Sequence, residues 1–355
     1  MKRKREEEEG AEPQSLSERD SSSESDSSAS SPSPSHSPDP LPLQGSKRYK
    51  LTDRERLGYG AHRVVREALD TKTGCMVAIK TLGSCPHKGL PEAATREATI
   101  LTELHLRGSC PNIISMRDIL YEDDEAWFPE AKIVMERCDL TLQELLKQSD
   151  EGLSPSTTKS YMRQLLQALN FLGERKIMHR DLKPDNIGLC NAQRDIKVFD
   201  FSNARRDALP GGCLTTLVTH RWYRAPEVLL MGKLPHTTYV RNNQYGPAID
   251  MWSLGCIFYE MITGELLFTG DSEICMLMQI FKKLGTPTEQ TWPSFSTLKR
   301  FEFLWPYWPG KGSALFAEHQ DKIGPAGADL LRRMLVCDPT QRISPGEALE
   351  HEYFK

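Results

Sequence analysis

The chain lacks the features that mark membrane proteins, disulfide-rich proteins and strongly charged binding proteins. None of its apolar runs approaches the ~18 residues that a membrane-spanning helix needs. Its nine cysteines are scattered singly, without Cys-x-x-Cys spacing, which predicts a reduced setting in the nucleus or the cytoplasm. The net charge is −4, so direct nucleic-acid binding is not expected, and the charged N-terminus predicts no signal peptide.

The first part of the chain has too few apolar residues to form a core. Residues 1–46 carry a basic run and an acidic run, followed by a segment rich in serine, proline and aspartate. Such a segment cannot bury enough apolar area to offset the entropy lost on ordering, so residues 1–48 are predicted to be a disordered tail. The basic residues at 2–5 would suit a nuclear import signal. Residues 49–354 are long enough to form a folded domain.

Two short stretches in the middle of the chain carry the most specific signal. The first reads His-Arg-Asp-Leu-Lys-Pro-Asp-Asn at 179–186, and the second reads Val-Phe-Asp-Phe-Ser at 198–202. Together they resemble the catalytic core of the eukaryotic protein kinases. The resemblance implies an α+β, two-lobed fold, with a small β-rich N-lobe at about 49–137 and a larger helical C-lobe at about 138–354.

The residue types in these stretches suit phosphoryl transfer, which needs a positioned nucleophile and neutralised charge. Asp181 is the candidate catalytic residue that orients an attacking hydroxyl, and Lys183 is the candidate cation over the γ-phosphate. Asn186 and Asp200 offer the oxygen ligands that Mg²⁺ prefers. ATP and Mg²⁺ are therefore the expected cofactors.

The chain before these stretches supplies a candidate nucleotide cradle. Met76–Lys80 reads as a short strand that ends in a lysine, and Glu97 is the expected acidic partner of Lys80. A glycine-rich loop lies about twenty residues before Lys80, with Arg63 where the family has its third glycine. By resemblance, the residues expected at the ATP site are Leu57, Gly58, Tyr59, Gly60, Val65, Ala78, Lys80, Glu97, Met135, Glu136 and Cys138.

Four further stretches narrow the resemblance to the cyclin-dependent kinase branch of the serine/threonine kinases. They lie at 221–227, 270–274, 284–288 and 338–344. The resemblance implies phosphorylation of Ser or Thr in a protein substrate, with Arg224 shaping a pocket that favours a following proline. Residues 91–97 are similar to the cyclin-binding helix of that branch, so a cyclin is a candidate partner.

Three arginines are expected to form a phosphate pocket. By resemblance, Arg96, Arg180 and Arg205 converge on a phosphothreonine in the activation loop. The register with relatives places Thr215 opposite them, with Thr216 as the neighbouring alternative. Burying three guanidiniums without counter-ions would cost free energy. The pocket is therefore expected to be stable only when it binds a dianion.

Two structural pairs are also implied by the resemblance. Glu227 is expected to pair with Arg342 and so to tie the activation segment to the C-terminal lobe. Asp250 is expected to hydrogen-bond the backbone of the catalytic loop.

The chain departs from the family pattern at three positions near the site. Arg63 replaces a glycine, Ser202 replaces the glycine that usually follows Asp-Phe, and His220 replaces a threonine that contacts the catalytic Asp and Lys in relatives. These departures motivate an alternative function, a binding or scaffold protein on a kinase fold with weak or no turnover.

Overall fold

The computed structural model describes residues 48–53, 57–60, 63–83, 91–122, 130–206, 213–215, 220–231, 239–241, 245–293, 295–298, 305–310, 312 and 314–355. The predicted disordered tail and the basic residues at 2–5 lie outside these ranges, apart from Arg48. Thr216 lies outside them as well.

An antiparallel sheet forms the N-terminal part of the described chain. Its strands are β1 Tyr49–Leu51, β2 Gly58–Gly60, β3 Arg63–Asp70, β4 Met76–Thr81, β5 Met116–Glu122 and β6 Glu130–Glu136. They pair in the order β1-β3-β4-β6-β5, and β2 pairs with the start of β3. Side chains alternate between the two faces of a strand. Val77 and Ile79 therefore pack in a small outer cluster, while Ala78, between them, joins the main core.

One long helix, α1 (Glu92–Leu106), lies between β4 and β5 in the chain. Pro91 directly precedes it, which suits a helix start because proline cannot donate a hydrogen bond within the helix. Its buried residues recur at helical spacing. They are Ala94, Glu97, Ile100, Leu101 and Leu104. The one acid on this otherwise apolar face, Glu97, is thereby carried into the interior of the protein.

The C-terminal part is mainly helical. Its helices are α2 Leu142–Leu146, α3 Pro155–Glu174, α4 Pro226–Met231, α5 Ala248–Thr263, α6 Glu273–Leu284, α7 Ala314–Ala317, α8 Gln320–Met334 and α9 Pro345–Leu349. Short strands are interspersed: β7 Leu140–Thr141, β8 Ile177–Met178, β9 Ile187–Cys190, β10 Asp195–Val198, β11 Arg205–Arg206, β12 Cys213–Thr215 and β13 Tyr239–Arg241. This order of a sheet followed by helices confirms the predicted α+β fold.

Two helices form the centre of the C-terminal core. In α3, Ser154 caps the N-terminus by accepting from the backbone N–H of Thr157, and an apolar stripe follows at helical spacing. In α5, every residue from Ile249 to Ile262 is buried. A helix that is buried on all sides must be surrounded by other parts of the core.

Both predicted structural pairs are confirmed. The Arg342 guanidinium donates to both carboxylate oxygens of Glu227, at 2.8 and 3.0 Å, and the two side chains are almost completely buried. The Asp250 carboxylate accepts from the backbone N–H groups of His179 and Arg180, at 2.8 and 2.9 Å. Across the described ranges, no helix has the length and apolar character required to cross a membrane.

Candidate active site

Lys80 lies between two carboxylates on the inner face of the sheet. Its Nζ is 2.6 Å from Glu97 Oε1 and 2.9 Å from Asp200 Oδ1. Lys80 is only 7% exposed and Glu97 only 1% exposed. A buried ammonium is costly unless it is paired, so these two contacts fix its position. The expected contact between Lys80 and Glu97 is present, and it requires α1 to lie against the sheet.

The strand register places four of the expected ATP-site residues together. Val65 on β3 is paired with Lys80 on β4, and Ala78 on β4 is paired with Met135 on β6. Residues paired across antiparallel strands share a face, and so do residues two apart in one strand. All four therefore lie on the face that carries Lys80. Gly58 on β2 is paired with Val65 and extends this row.

The remaining expected ATP-site residues lie around this face or just beyond it. Leu57 is half-buried before β2, which contains Gly58, Tyr59 and Gly60. The Glu136 carboxylate accepts from the backbone N–H of Ser115 and pairs with Lys197 Nζ at 2.9 Å. These contacts occupy the side chain of Glu136, and its main-chain N–H donates to the backbone oxygen of Ser115 at 3.0 Å. Cys138 follows in the segment between β6 and β7.

The catalytic loop presents Asp181 with its carboxylate already oriented. Oδ2 accepts from the side-chain amides of Asn186 and Asn203, each at 3.3 Å. Oδ1 accepts from the backbone N–H of His220 at 3.1 Å. Asp181 is 8% exposed, so these donors replace much of the hydration of its carboxylate. Lys183, two residues on, is half-buried.

Two residues at the site have left-handed backbone conformations. Arg180 has φ 67° and Asp200 has φ 63°. Such values are unfavourable for residues other than glycine and persist only where the surroundings impose them. Asp250 holds the backbone at Arg180, and burial raises the pKa of its carboxyl against the opposing effect of the backbone donors. The strained backbone points to a site whose geometry has a function.

Asn186 and Asp200 fit the role of metal ligands. The Asn186 Nδ2 donates to the backbone oxygen of Asp181 at 2.8 Å, so the oxygen end of the amide is the end that could bind a cation. The Asp200 carboxylate is partly exposed beside Lys80. An amide oxygen and a carboxylate are suitable ligands for Mg²⁺, which usually keeps several waters and binds to few protein groups.

The three arginines lie close together, but they are not unpaired. Arg96 and Arg205 both donate to Glu92 Oε1, at 2.5 and 2.8 Å. Arg96 also donates to the backbone oxygen of Ser202 at 2.5 Å. The premise that the three arginines are unpaired is therefore wrong, because the first residue of α1 supplies a carboxylate, and phosphate binding at this pocket stays a prediction. Glu92 lies one helical turn before Arg96, and that spacing was the sequence signal for this contact.

Arg180 is the most buried of the three arginines. Its guanidinium donates to the backbone oxygen of Asn203 at 3.2 Å and to the hydroxyl of Tyr245 at 2.7 Å. Burial lowers the pKa of Arg180, and the nearby charges of Arg205 and Arg96 act in the same direction. Because the charges of Arg205 and Arg96 act on the pKa of Arg180, the three guanidiniums lie close to one another. Added negative charge there would be stabilised.

Thr215, the expected phosphosite, is the last residue of β12. This strand pairs with β13, and Thr215 is opposite Tyr239. The chain between Arg206 and β12 lies outside the described ranges.

His220 stands where relatives have a threonine that contacts the catalytic aspartate. Here the backbone N–H of His220 contacts the Asp181 carboxylate in its place. The His220 ring lies edge-on to Trp222, with 4.8 Å between centroids. Burial lowers the pKa of this imidazole, and the Lys183 ammonium lowers it further. Both effects favour the neutral form of the ring.

Asn203 was not identified from the sequence, although it contacts the Asp181 carboxylate. It lies three residues after Asp200 in a short 3₁₀ turn, Phe201–Asn203. An asparagine next to this motif is a weak signal by itself. Its role depends on the turn, which directs the amide back towards the catalytic loop.

Comparison with known proteins agrees with this geometry. The model of the protein kinase domain family matches residues 51–354. Among solved structures, the chain is similar to a chain of the CAK complex from Chaetomium thermophilum, in a structure with ATP-γ-S bound. The two are 31% identical, with a TM-score of 0.75, and the match covers 86% of this chain and 91% of that chain.

Proposed function

The chain belongs to the protein kinase family and is similar to cyclin-dependent kinases, and on that basis we propose that it phosphorylates serine or threonine residues of proteins. The proposal depends mainly on one observation. Lys80 joins Glu97 and Asp200, while Asp181 and Asn186 are in direct contact. The residues for holding a nucleotide and those for orienting a hydroxyl are thus assembled together.

In the proposed reaction the substrate hydroxyl oxygen attacks the γ-phosphorus of ATP. The bond from that phosphorus to the β-γ bridging oxygen breaks, and ADP leaves. Asp181 orients the hydroxyl and accepts its proton, because its carboxylate is held by Asn186, Asn203 and the backbone of His220. Lys183 lies two residues away and places positive charge near the transferred phosphoryl group.

The nucleotide is held by groups from both parts of the fold. Lys80 is positioned by Glu97 to contact the α- and β-phosphates. Asn186 and Asp200 would hold Mg²⁺, which supplies charge neutralisation at the phosphates when bound. Val65, Ala78 and Met135 provide an apolar surface on the same face of the sheet for the base.

We assign a preference for Ser-Pro and Thr-Pro substrates to the segment that contains Arg224. The Arg224 guanidinium pairs with Glu273 at 2.8 Å, and the residue is 8% exposed. This contact fixes the chain that follows His220, close to the Asp181 carboxylate. The expected acceptor is a protein residue whose next position fits against this rigid segment.

Two modes of activation are supported by the position of α1. A phosphate on Thr215 would add charge to the region of Arg96, Arg180 and Arg205. A cyclin would contact the outer face of α1, where Leu106 is 75% exposed. Either event would act through Glu97, because α1 carries this residue to Lys80.

The first test is phosphate transfer from radiolabelled ATP to a Ser-Pro peptide, with and without a panel of cyclins. Asp181→Asn and Lys80→Met should each lower the rate by at least ~10²-fold, as expected for loss of a proton acceptor or a phosphate contact. Asp185→Asn removes an exposed acid from the same loop and serves as the matched control, with a rate close to wild type.

A peptide with alanine after the serine tests the proline preference in the same assay. Equal rates for the two peptides would contradict the role assigned to Arg224. If folded wild-type protein phosphorylated on Thr215 transfers no phosphate with any cyclin, the proposal fails and the scaffold function takes its place.

A further inference from the structure

A pair of thiols lies at the junction of the two parts of the fold. Cys138, between β6 and β7, and Cys190, the last residue of β9, have their sulfur atoms 3.2 Å apart. Among the cysteines in the described ranges, this is the pair whose sulfur atoms are within hydrogen-bonding distance. The two residues are distant in sequence, so the contact is made only by the fold.

Gly188 makes this contact possible. A Cβ atom at position 188 would lie 2.3 Å from Cys138 Sγ and 2.8 Å from Cys138 Cβ. Real Cβ atoms essentially never approach other atoms this closely, so any other residue would push the Cys138 side chain away. The missing side chain leaves space for the thiol to turn towards β9, where Cys190 lies two residues after Gly188.

Backbone pairing fixes the approach of the two segments. The N–H of Asp139 donates to the backbone oxygen of Leu189 at 2.8 Å. Leu140 is then paired with Leu189, and Thr141 with Gly188. These bonds lie next to both cysteines, so the sulfur atoms are held together rather than meeting by chance.

The hydrogen bond between the two thiols shifts their pKa values in opposite directions. The hydrogen bond with Cys138 lowers the pKa of Cys190, and the Lys197 ammonium acts in the same direction against burial and Glu136. The pKa of Cys138 is raised, first by the same hydrogen bond and then by burial. Cys138 is partly exposed, which gives a small oxidant access to the pair.

We propose that Cys138 and Cys190 form a redox-sensitive site, which a hydroperoxide oxidises to a disulfide between the two segments. One thiol gives up its proton and its sulfur attacks an oxygen atom of the hydroperoxide, so that the O–O bond breaks and a sulfenic acid forms. The leaving oxygen takes up the proton and departs as an alcohol, or as water when the oxidant is hydrogen peroxide. The second thiol then attacks that sulfur, the S–O bond breaks, and water leaves. Two thiols are oxidised, the hydroperoxide is reduced by two electrons, and a thiol reductant reverses the change.

The disulfide would alter the nucleotide site. A disulfide bond is about 2.05 Å long, so the sulfur atoms must approach each other by about 1 Å. The segment at Cys138 follows Met135 and Glu136, which we assign to the ATP site, so a shift there should weaken nucleotide binding. This effect rests on the proposed function, whereas formation of the disulfide does not.

The test is peptide mapping of the full-length protein after a hydrogen peroxide titration. We expect a linked peptide that contains Cys138 and Cys190, with its loss on adding dithiothreitol. Cys190→Ser should abolish the linked peptide, and Cys275→Ser, which removes an exposed cysteine, should leave it unchanged. Absence of the linked peptide at a concentration that oxidises Cys275 completely would overturn the proposal, and the wild-type map alone decides this point.

Binding of ATP-γ-S by calorimetry tests the consequence. The oxidised wild type should bind several-fold more weakly than the reduced form, with recovery in dithiothreitol, and Cys190→Ser should bind equally well before and after peroxide. Unchanged affinity in fully linked protein would overturn the effect on the nucleotide site. If the linked peptide forms in a protein that binds no ATP-γ-S in either state, the proposed function fails and the disulfide stands.

Discussion

At the residue scale, the site depends on polar groups whose partners restrict them to one orientation. Asp181 illustrates this, because two side-chain amides and one backbone N–H all donate to its carboxylate. Lys80 is similarly fixed by Glu97 and Asp200. Because these groups are oriented before the substrate binds, little free energy is spent on reorienting them during the reaction. Removing one donor should therefore affect the rate more than substrate binding.

Asn203→Ala removes one of the donors to Asp181. We expect kcat to fall about 5- to 10-fold, because a single hydrogen bond is worth roughly 1 kcal/mol and a charged acceptor adds to that. KM for ATP should change little, since Asn203 contacts the Asp181 carboxylate. Steady-state kinetics on a Ser-Pro peptide make the measurement. A larger effect on KM than on kcat would show that Asn203 acts on nucleotide binding instead.

Glu260 gives the protein a pH-dependent stability. Burial raises the pKa of its carboxyl from 4.5 to about 7, although the Tyr223 hydroxyl donates to it at 2.7 Å. The folded chain holds this proton more tightly than the unfolded chain does. The resulting stabilisation is present below pH 4.5 and is lost as the pH rises to about 7, a change of up to about 3 kcal/mol.

Glu260→Gln should flatten this part of the stability profile. Urea unfolding between pH 5 and pH 8 is the measurement, and the difference between wild type and variant should shift in favour of the variant as the pH rises. Glu265→Gln, which removes an exposed acid just after the same helix, is the control for a simple loss of charge. Parallel profiles for wild type and Glu260→Gln would contradict the account.

At the element scale, α1 is fixed from two sides. Its inner face presents Glu97 to Lys80, and its first turn presents Glu92 to Arg96 and Arg205. The second set of contacts joins the helix to the segment that follows Asp200. Hence a carboxylate in α1 acts at the place where a phosphate on the activation loop is expected to act.

Glu92→Gln should lower the activity of protein that is not phosphorylated on Thr215. The bridge between Arg96 and Arg205 would be weakened, so α1 would hold Glu97 against Lys80 less often. We expect a several-fold loss of kcat with little change in unfolding free energy, since exposed ion pairs contribute ~1 kcal/mol or less. Phosphate transfer to a peptide and urea unfolding are the two measurements.

The same variant after phosphorylation of Thr215 is the matched comparison. A phosphate should replace the missing carboxylate, so the phosphorylated variant should be as active as phosphorylated wild type. Equal activity of the two unphosphorylated proteins would show that Glu92 has no part in positioning α1.

At the scale of the whole molecule, buried contacts distant in sequence hold the segments around the site. Glu227 at the start of α4 and Arg342 before α9 form a buried pair with two hydrogen bonds. Arg342 also donates to the backbone oxygen of Ala248, at the start of α5. The chain that carries Arg224 is thereby joined to the helical core.

Glu227→Ala should destabilise the fold by about 3–5 kcal/mol, because it leaves the Arg342 guanidinium buried without its carboxylate. Urea unfolding compared with wild type gives this value. Glu227→Ala with Arg342→Met should be less destabilised than Glu227→Ala alone, since the uncompensated charge is removed as well. If the double variant loses as much unfolding free energy as the two single variants lose together, this account is contradicted.

Much of the site could be predicted because kinase motifs are local in sequence. Asp181, Lys183 and Asn186 lie within six residues, in a stretch whose resemblance to the kinase catalytic loop implied phosphoryl transfer. Glu92 and Asn203 were missed because a carboxylate or an amide in such segments has many uses, and its partner is set by packing. The proximity of Cys138 to Cys190 had no sequence signal, since single cysteines at that spacing carry no motif.

The sequence by itself determined the family, the α+β class and the candidates for catalysis, because glycines, prolines and apolar periods act on the local backbone and the motifs are short. Only the tertiary structure decided that Glu92 occupies the arginine pocket, that Asn203 contacts the Asp181 carboxylate and that a backbone N–H of His220 contacts Asp181. Those outcomes depend on contacts between distant segments. Their geometry is set by burial and by hydrogen-bond satisfaction across the whole core, which no local window of sequence contains.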